Sequence, residues 1–181
     1  ITAFLPIGRR WTDYGFNDVI TTSEKQGEYL KTMFPSINTH TVPVSIADYF
    51  VDSDKPKIPV VSIVAREQGD AAKIAKMFYL QNPLYKWITF KELRGIPKRQ
   101  FAEELGKSCL AVWLDDRAGF GTFPLEAMQC NTPVIGKMPN MIPEWMEEND
   151  AEGNGRIKNN GVWTNTHLNI PELIGTFMKV W

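Results

Sequence analysis

Leu110-Ala111-Val112-Trp113-Leu114-Asp115-Asp116-Arg117-Ala118-Gly119-Phe120-Gly121-Thr122-Phe123-Pro124-Leu125-Glu126-Ala127-Met128-Gln129-Cys130-Asn131-Thr132-Pro133-Val134-Ile135-Gly136 is the stretch that decides the fold. Leu110 to Leu114 is a continuous apolar run, the pattern of a strand covered on both faces, and such strands belong to parallel sheets. The run stops at two carboxylates. Gly119 and Gly121 then flank Phe120, so the backbone can turn tightly and lie close to a ligand with no Cβ in the way. Pro124 suits the first turn of a helix. The free N–H groups of about Gly121 to Phe123 are therefore expected to face the crevice at the strand's end, where they suit a phosphate or sugar oxygens. Glu126, read as lying in that first turn, is a fixed acceptor suited to vicinal hydroxyls. Asn131 falls where a helix commonly ends in a left-handed residue, and Thr132-Pro133-Val134-Ile135 opens the next strand.

The same alternation extends outward. Ile58 to Ala65 reads as an apolar strand, followed by a helix with Ala71, Ile74, Met77 and Phe78 at helical spacing. Lys86 to Phe90 reads as a third strand with the exit loop Lys91 to Ile96, and Pro97 to Gly106 as a crossover helix with Phe101 and Leu105 on one face. Gly161 to Thr164 is a short strand, and Ile170, Leu173, Ile174, Phe177 and Met178 form a helical stripe. Strand and helix in turn predict an α/β fold, a Rossmann-like parallel sheet with helices on both faces. Arg66 falls at the carboxyl end of its strand, where open α/β sheets place ligands. Upstream, Asp18 to Thr22 is β-prone, Ser23 with Gln26 forms a capping box, and Pro35 ends the helix that follows. Val51 to Lys57 has a linker's composition, and the charged, Gly- and Asn-rich Glu147 to Asn160 reads as a mobile surface loop.

Composition excludes several classes. The chain has 181 residues, 43% of them apolar, and a net charge of -1, so neither nucleic acid nor an anionic membrane is an expected partner. Cys109 and Cys130 do not make a disulfide framework, and no apolar run approaches the ~20 residues of a membrane span. Asp52-Ser53-Asp54 has the look of a metal-binding D-x-D, but it sits in the linker beside Lys55 and Lys57 and reads as a solvated turn. Asp115-Asp116 need no metal where Arg117 and Arg66 supply positive charge. His40 and His167 lie outside the glycine and arginine loops. The six tryptophans are scattered rather than stacked in a basic groove, which argues against single-stranded nucleic acid. The first residues carry neither Met nor a signal pattern, so the chain reads as an excised piece.

The segment Gly119 to Met128 with Asn131 to Ile135 resembles the donor site of GT-B glycosyltransferases, especially the retaining family 4, where it runs approximately E-G-F-G-L-x-x-x-E-A-M-A-x-G-x-P-V-I. Gly119, Phe120, Gly121 and Glu126 match, and Ala118 stands where the family has its first Glu. The resemblance implies a hexosyltransferase-type enzyme of glycan biosynthesis. Its substrate would be a nucleoside diphosphate sugar, its acceptor an unidentified glycan, lipid or protein, and it would need neither metal nor cofactor. Arg66 and Lys73 would neutralise the diphosphate, the amides from Gly119 to Thr122 would hold diphosphate and sugar, Glu126 would take the ribose, and the exit loop around Leu93 and Gly95 the base. Ala118 cannot accept a hydrogen bond, so Asp115, Asp116 or Arg117 would have to compensate, with Asp116 the nearest carboxylate. Arg66, Lys73 and Asp116 are thus the candidate catalytic residues. Pro143-Glu144 resembles the start of the family's next helix, and Asp48-Tyr49-Phe50 loosely resembles its interdomain connection. On that comparison residues 1–45 are the last unit of an acceptor-side domain and residues 46–181 the donor-binding domain. The setting implied is cytoplasmic, free or peripheral at the inner membrane face. Two alternatives stand beside this reading. One is a domain of the same fold that binds nucleotide or sugar without turnover; the other is a Rossmann-like module for a different phosphorylated ligand.

Overall fold

The computed structural model describes residues 6–118, 120–149 and 155–181 and divides into two units, Ile1–Ser45 and Ile46–Trp181. In the first unit, β1 (Asp18–Thr21) and β2 (Asn38–Thr41) pair in parallel, joined through α1 (Glu24–Met33). The Ser23 hydroxyl accepts the Gln26 N–H at 3.2 Å, while the Gln26 side chain reaches back to the Thr22 hydroxyl at 2.7 Å, one residue earlier than a capping box would place it. The polar β2 carries no hydrophobic alternation and is absent from the sequence reading.

The second unit is built on one parallel sheet of five strands. β3 (Ile58–Val64), β4 (Thr89–Glu92), β5 (Ser108–Trp113), β6 (Val134–Lys137) and β9 (Val162–Thr164) stand in the order β4-β3-β5-β6-β9. The helices are α2 (Asp70–Gln81), α3 (Lys98–Lys107), α4 (Thr122–Gln129) and α5 (Ile170–Met178). The expected Rossmann-like architecture is present. Because parallel crossovers are right-handed, a chain that moves outward from β3 to β4 and then doubles back to β5 must change faces. The core shows this. Ala71, Ile74 and Phe78 of α2 pack with Ile170, Ile174 and Met178 of α5, whereas Phe101, Ala102 and Leu105 of α3 pack with Phe123 and Ala127 of α4. β5 feeds both layers, with Leu110 and Val112 in the first and Ala111 and Trp113 in the second. All six of its residues are buried, as a doubly covered strand requires.

Three boundaries differ from expectation. β4 starts at Thr89 rather than Lys86, because Pro83 to Tyr85 form a 3₁₀ turn that carries the chain on to buried Ile88. Pro143-Glu144 opens only a single 3₁₀ turn, Glu144–Met146, in place of a helix. The expected loop from Glu147 holds an antiparallel ribbon, β7 (Glu147–Asn149) with β8 (Gly155–Ile157), its connection lying outside the described residues. Asn131 does take the left-handed conformation, φ 52°.

Both thiols are enclosed. Burial pushes the Cys109 thiol up to about 11 and raises Cys130 as well. Since the thiolate is the nucleophile, a thiol reagent at pH 8 is expected to label neither cysteine in the folded chain and both after denaturation. Rapid native labelling would contradict this packing.

Candidate functional site

The strand order places a switch point between β3 and β5: the chain leaves β3 toward β4 on one side and resumes at β5 on the other. A crevice opens at the carboxyl ends of the two strands at such a point, because their outgoing connections diverge. Three loops supply its side chains.

Arg66, two residues beyond β3, crosses to Asp115, two residues beyond β5, in a fork: Nε donates to Oδ1 at 2.6 Å and Nη2 to Oδ2 at 2.9 Å. Asp115 Oδ1 also accepts the Arg117 N–H at 3.2 Å, which fixes the carboxylate. Arg94, in the loop after β4, donates to the carbonyls of Ala65 and Arg66 at 2.7 and 3.2 Å and to Glu92 at 2.7 Å, so it props the loop that carries Arg66. Lys137, at the end of β6, donates to Asp116. That bond, with smaller help from His167 and Arg117, holds the Asp116 carboxyl below the usual carboxylate range. His167 therefore stands closer to this edge than its place in the sequence suggests.

Phe120 and Gly121 are carried on a tryptophan cluster. Gly121 precedes α4 at φ 70°, and a Cβ there would lie 2.7 Å from two ring atoms of Trp113. The Trp145 indole N–H donates to the Phe120 carbonyl at 2.6 Å, and ring centroids of Trp113, Trp145 and Trp163 lie 5.8 to 6.3 Å apart. Three of the six tryptophans thus gather beneath one loop, which corrects the reading of them as scattered. Thr122 is the first helical residue, so the unpaired amides of the first turn open beside this loop. Gly119 lies outside the described residues. Ala118 is half-buried and packs against the core layer of α3 and α4.

The remaining predicted residues divide. Glu126 is buried, but it falls in the second turn of α4 rather than the first, and its carboxylate pairs with Lys98 Nζ at 3.2 Å. Lys98, which also stands over the Phe101 ring at 4.9 Å, had no signal in the sequence beyond its place after Pro97. The Leu93 side chain belongs to the core, and its N–H bonds the Ile63 carbonyl at 2.9 Å, so both are committed to the fold. Gly95 is open, at φ 67°. Lys73 is exposed on α2 and pairs with Asp70 of its own first turn at 2.9 Å, which raises its pKa, and no described bond takes it to Arg66. Asp52 is exposed, accepts the Asp54 N–H at 3.2 Å within its own turn, and also accepts from the Asn131 side-chain amide at 2.8 Å. Among the described residues no three His, Cys, Asp or Glu side chains are grouped to hold a metal ion, and no helix is long and apolar enough to cross a membrane. A cavity of about 320 Å³ lined by Gln81, Asn82, Glu172, Gly175, Thr176 and Lys179 opens at the C-terminal ends of α2 and α5, the opposite end of the sheet from the switch point.

No family model and no curated protein matches the chain. Solved structures do. A GtfA/B complex aligns at TM-score 0.53 and 15% identity over 94% of this chain and 39% of the other. The pneumococcal O-GlcNAc transferase GtfA, determined with UDP and GlcNAc, aligns at TM-score 0.57 and 14% identity over 93% of this chain and 38% of the other. The chain spans about two fifths of the length of these structures. At such identity the likeness establishes the fold, a Rossmann-like α/β architecture of the GT-B glycosyltransferase type.

Proposed function

We propose that the chain is the donor-binding part of a glycosyltransferase that transfers a sugar from a nucleoside diphosphate sugar to an acceptor, with retention of configuration following from the family 4 resemblance. The observation that carries this reading is the pairing of Arg66, on the loop leaving β3, with Asp115, on the loop that leaves β5 and runs on into α4 at Thr122, at the switch point of a Rossmann-like sheet of the glycosyltransferase type. The guanidinium and the first-turn amides supply the positive potential that a diphosphate leaving group needs, and fixed donors of this kind stabilise developing charge without reorganising. Because these donors carry the charge, no metal is assigned to the step. UDP, bound by the neighbouring GtfA structure, is the first ligand to try.

The test is titration calorimetry of the 181-residue chain with UDP, GDP and ADP in EDTA. One nucleoside diphosphate is expected to bind, and Arg66→Ala to weaken it by about tenfold to a hundredfold, the range for losing one or two charge-assisted hydrogen bonds. Glu126→Ala is expected to weaken binding less and to lower stability, since it also frees Lys98. The isolated chain is expected to transfer no sugar. Binding that survives Arg66→Ala would sink the assignment. A second reading has its own observation: half-buried Ala118, which packs against the core layer of α3 and α4, stands where the family's first Glu would be, which supports a domain that binds donor without turnover. Assay of the full-length enzyme separates the two.

A further inference from the structure

Resting on the donor-site reading above, we infer that Asp115 is a built-in competitor for Arg66 that sets which anions the switch point accepts. The fork between the two side chains uses two N–H donors and both carboxylate oxygens, the arrangement a phosphate would otherwise make with the same guanidinium. Asp115 is steadied by the Arg117 N–H, so it is a standing partner of Arg66. The charges nearby are matched as well: Lys137 is on Asp116, and Arg117 faces Glu67 at 3.7 Å. With Arg94 on Glu92 as well, the described cations at the mouth of the crevice are each matched by a carboxylate, so an arriving anion finds no unpaired side-chain cation. It must exchange for Asp115 on Arg66. A group with two or more charges and several acceptor oxygens, such as a diphosphate, can make that exchange and still engage the α4 amides. A monoanion gains too little. Asp115 thus acts as a specificity-determining residue that favours diphosphates over singly charged ligands.

The fork is solvent-facing, with Arg66 44% and Asp115 20% exposed, so breaking it costs little stability. Asp115→Asn keeps the shape, the Oδ1 acceptor and the bond from Arg117 while removing the charge. The 181-residue chain, its Asp115→Asn and Arg66→Ala variants and the double variant would be titrated with inorganic pyrophosphate and UDP, with thermal melts to confirm folding. Asp115→Asn is expected to tighten both ligands by about threefold to tenfold, the scale on which surface ion pairs act. The gain should vanish in the double variant, which would bind like Arg66→Ala. Unchanged or weaker pyrophosphate binding by a folded Asp115→Asn chain would overturn the inference, as would a gain that persists without Arg66. The two readings fail differently. If UDP binds the parent chain through Arg66 and Asp115→Asn brings no gain, the competitor fails and the donor site stands; if UDP does not bind while pyrophosphate still tightens in Asp115→Asn, the donor assignment fails and the competitor stands.

Discussion

Gly121→Ala is expected to cost the Ile46–Trp181 unit about 3 to 4 kcal/mol, read as an earlier midpoint in urea. Two independent penalties add. A left-handed backbone at φ 70° costs a residue with a Cβ about 1–2 kcal/mol. The new methyl would also sit 2.7 Å from Cη2 and Cζ2 of Trp113, a ring 1% exposed and locked between Trp145 and Trp163, so relief requires moving the cluster or the loop, worth about 1–3 kcal/mol. Gly95→Ala separates the terms. Gly95 has φ 67° with nothing within 4 Å of its notional Cβ, so it carries the backbone penalty alone and should lose about 1 kcal/mol. Equal losses at the two positions would show that the Trp113 contact is not tight. The functional consequence is larger than the stability change. Gly121 immediately precedes the first-turn amides of α4, so a loop pushed off Trp113 misaims them, and UDP affinity should fall even at temperatures where the variant stays folded.

This coupling explains why the fold was legible while half of the site was not. Buried parallel strands announce themselves, because both faces must be apolar. LAVWL and IPVVSIVA could hardly be anything else, and with the intervening helical stripes they define the order of units. Asn131 was equally readable, since the left-handed residue after a helix is a local requirement. The site depends instead on which distant residues meet. Arg66 could be placed at the end of its strand by spacing, but not on Asp115, 49 positions later. Trp113, Trp145 and Trp163 look scattered along the chain and become one cluster only when the exits of β5, β6 and β9 converge. The resemblance implies a diphosphate role for Lys73; in the folded helix its side chain pairs with Asp70. β2 and the ribbon of β7 and β8 escaped because their polar residues show no period-2 hydrophobic signal, and their pairing is carried by backbone.

Lys57 is the extreme case of a residue whose role lies outside its neighbourhood, and Lys57→Met is expected to cost about 2 to 3 kcal/mol. Its composition places it in a linker, yet its ammonium donates to the Gly106 carbonyl at 2.8 Å, the Cys130 carbonyl at 2.6 Å and the Thr132 hydroxyl at 3.0 Å. Those carbonyls belong to the C-terminal ends of α3 and α4, where helices leave acceptors unpaired and the macrodipole favours a cation. One side chain caps two helices and binds the segment entering β3 to both. Met keeps the apolar stem and deletes only the donors, so the loss reports the acceptors left behind, each a charge-assisted bond in partly dry surroundings. Lys55→Met, in the same linker but exposed, should stay within about 0.5 kcal/mol. The pH dependence gives a second check. Burial holds the Lys57 pKa below the ordinary lysine value, against smaller opposing pulls from Asp52 and Cys130. The folded chain therefore releases this proton at lower pH than the unfolded chain. Linkage then makes the stability difference between parent and Lys57→Met grow as pH rises through the window between the two values. An exposed lysine held by a carboxylate would do the opposite, its raised pKa making the advantage fade with rising pH. Denaturant midpoints of both chains from pH 8 upward decide it: a difference that shrinks would show that the acceptors stabilise the ammonium by more than its burial costs it.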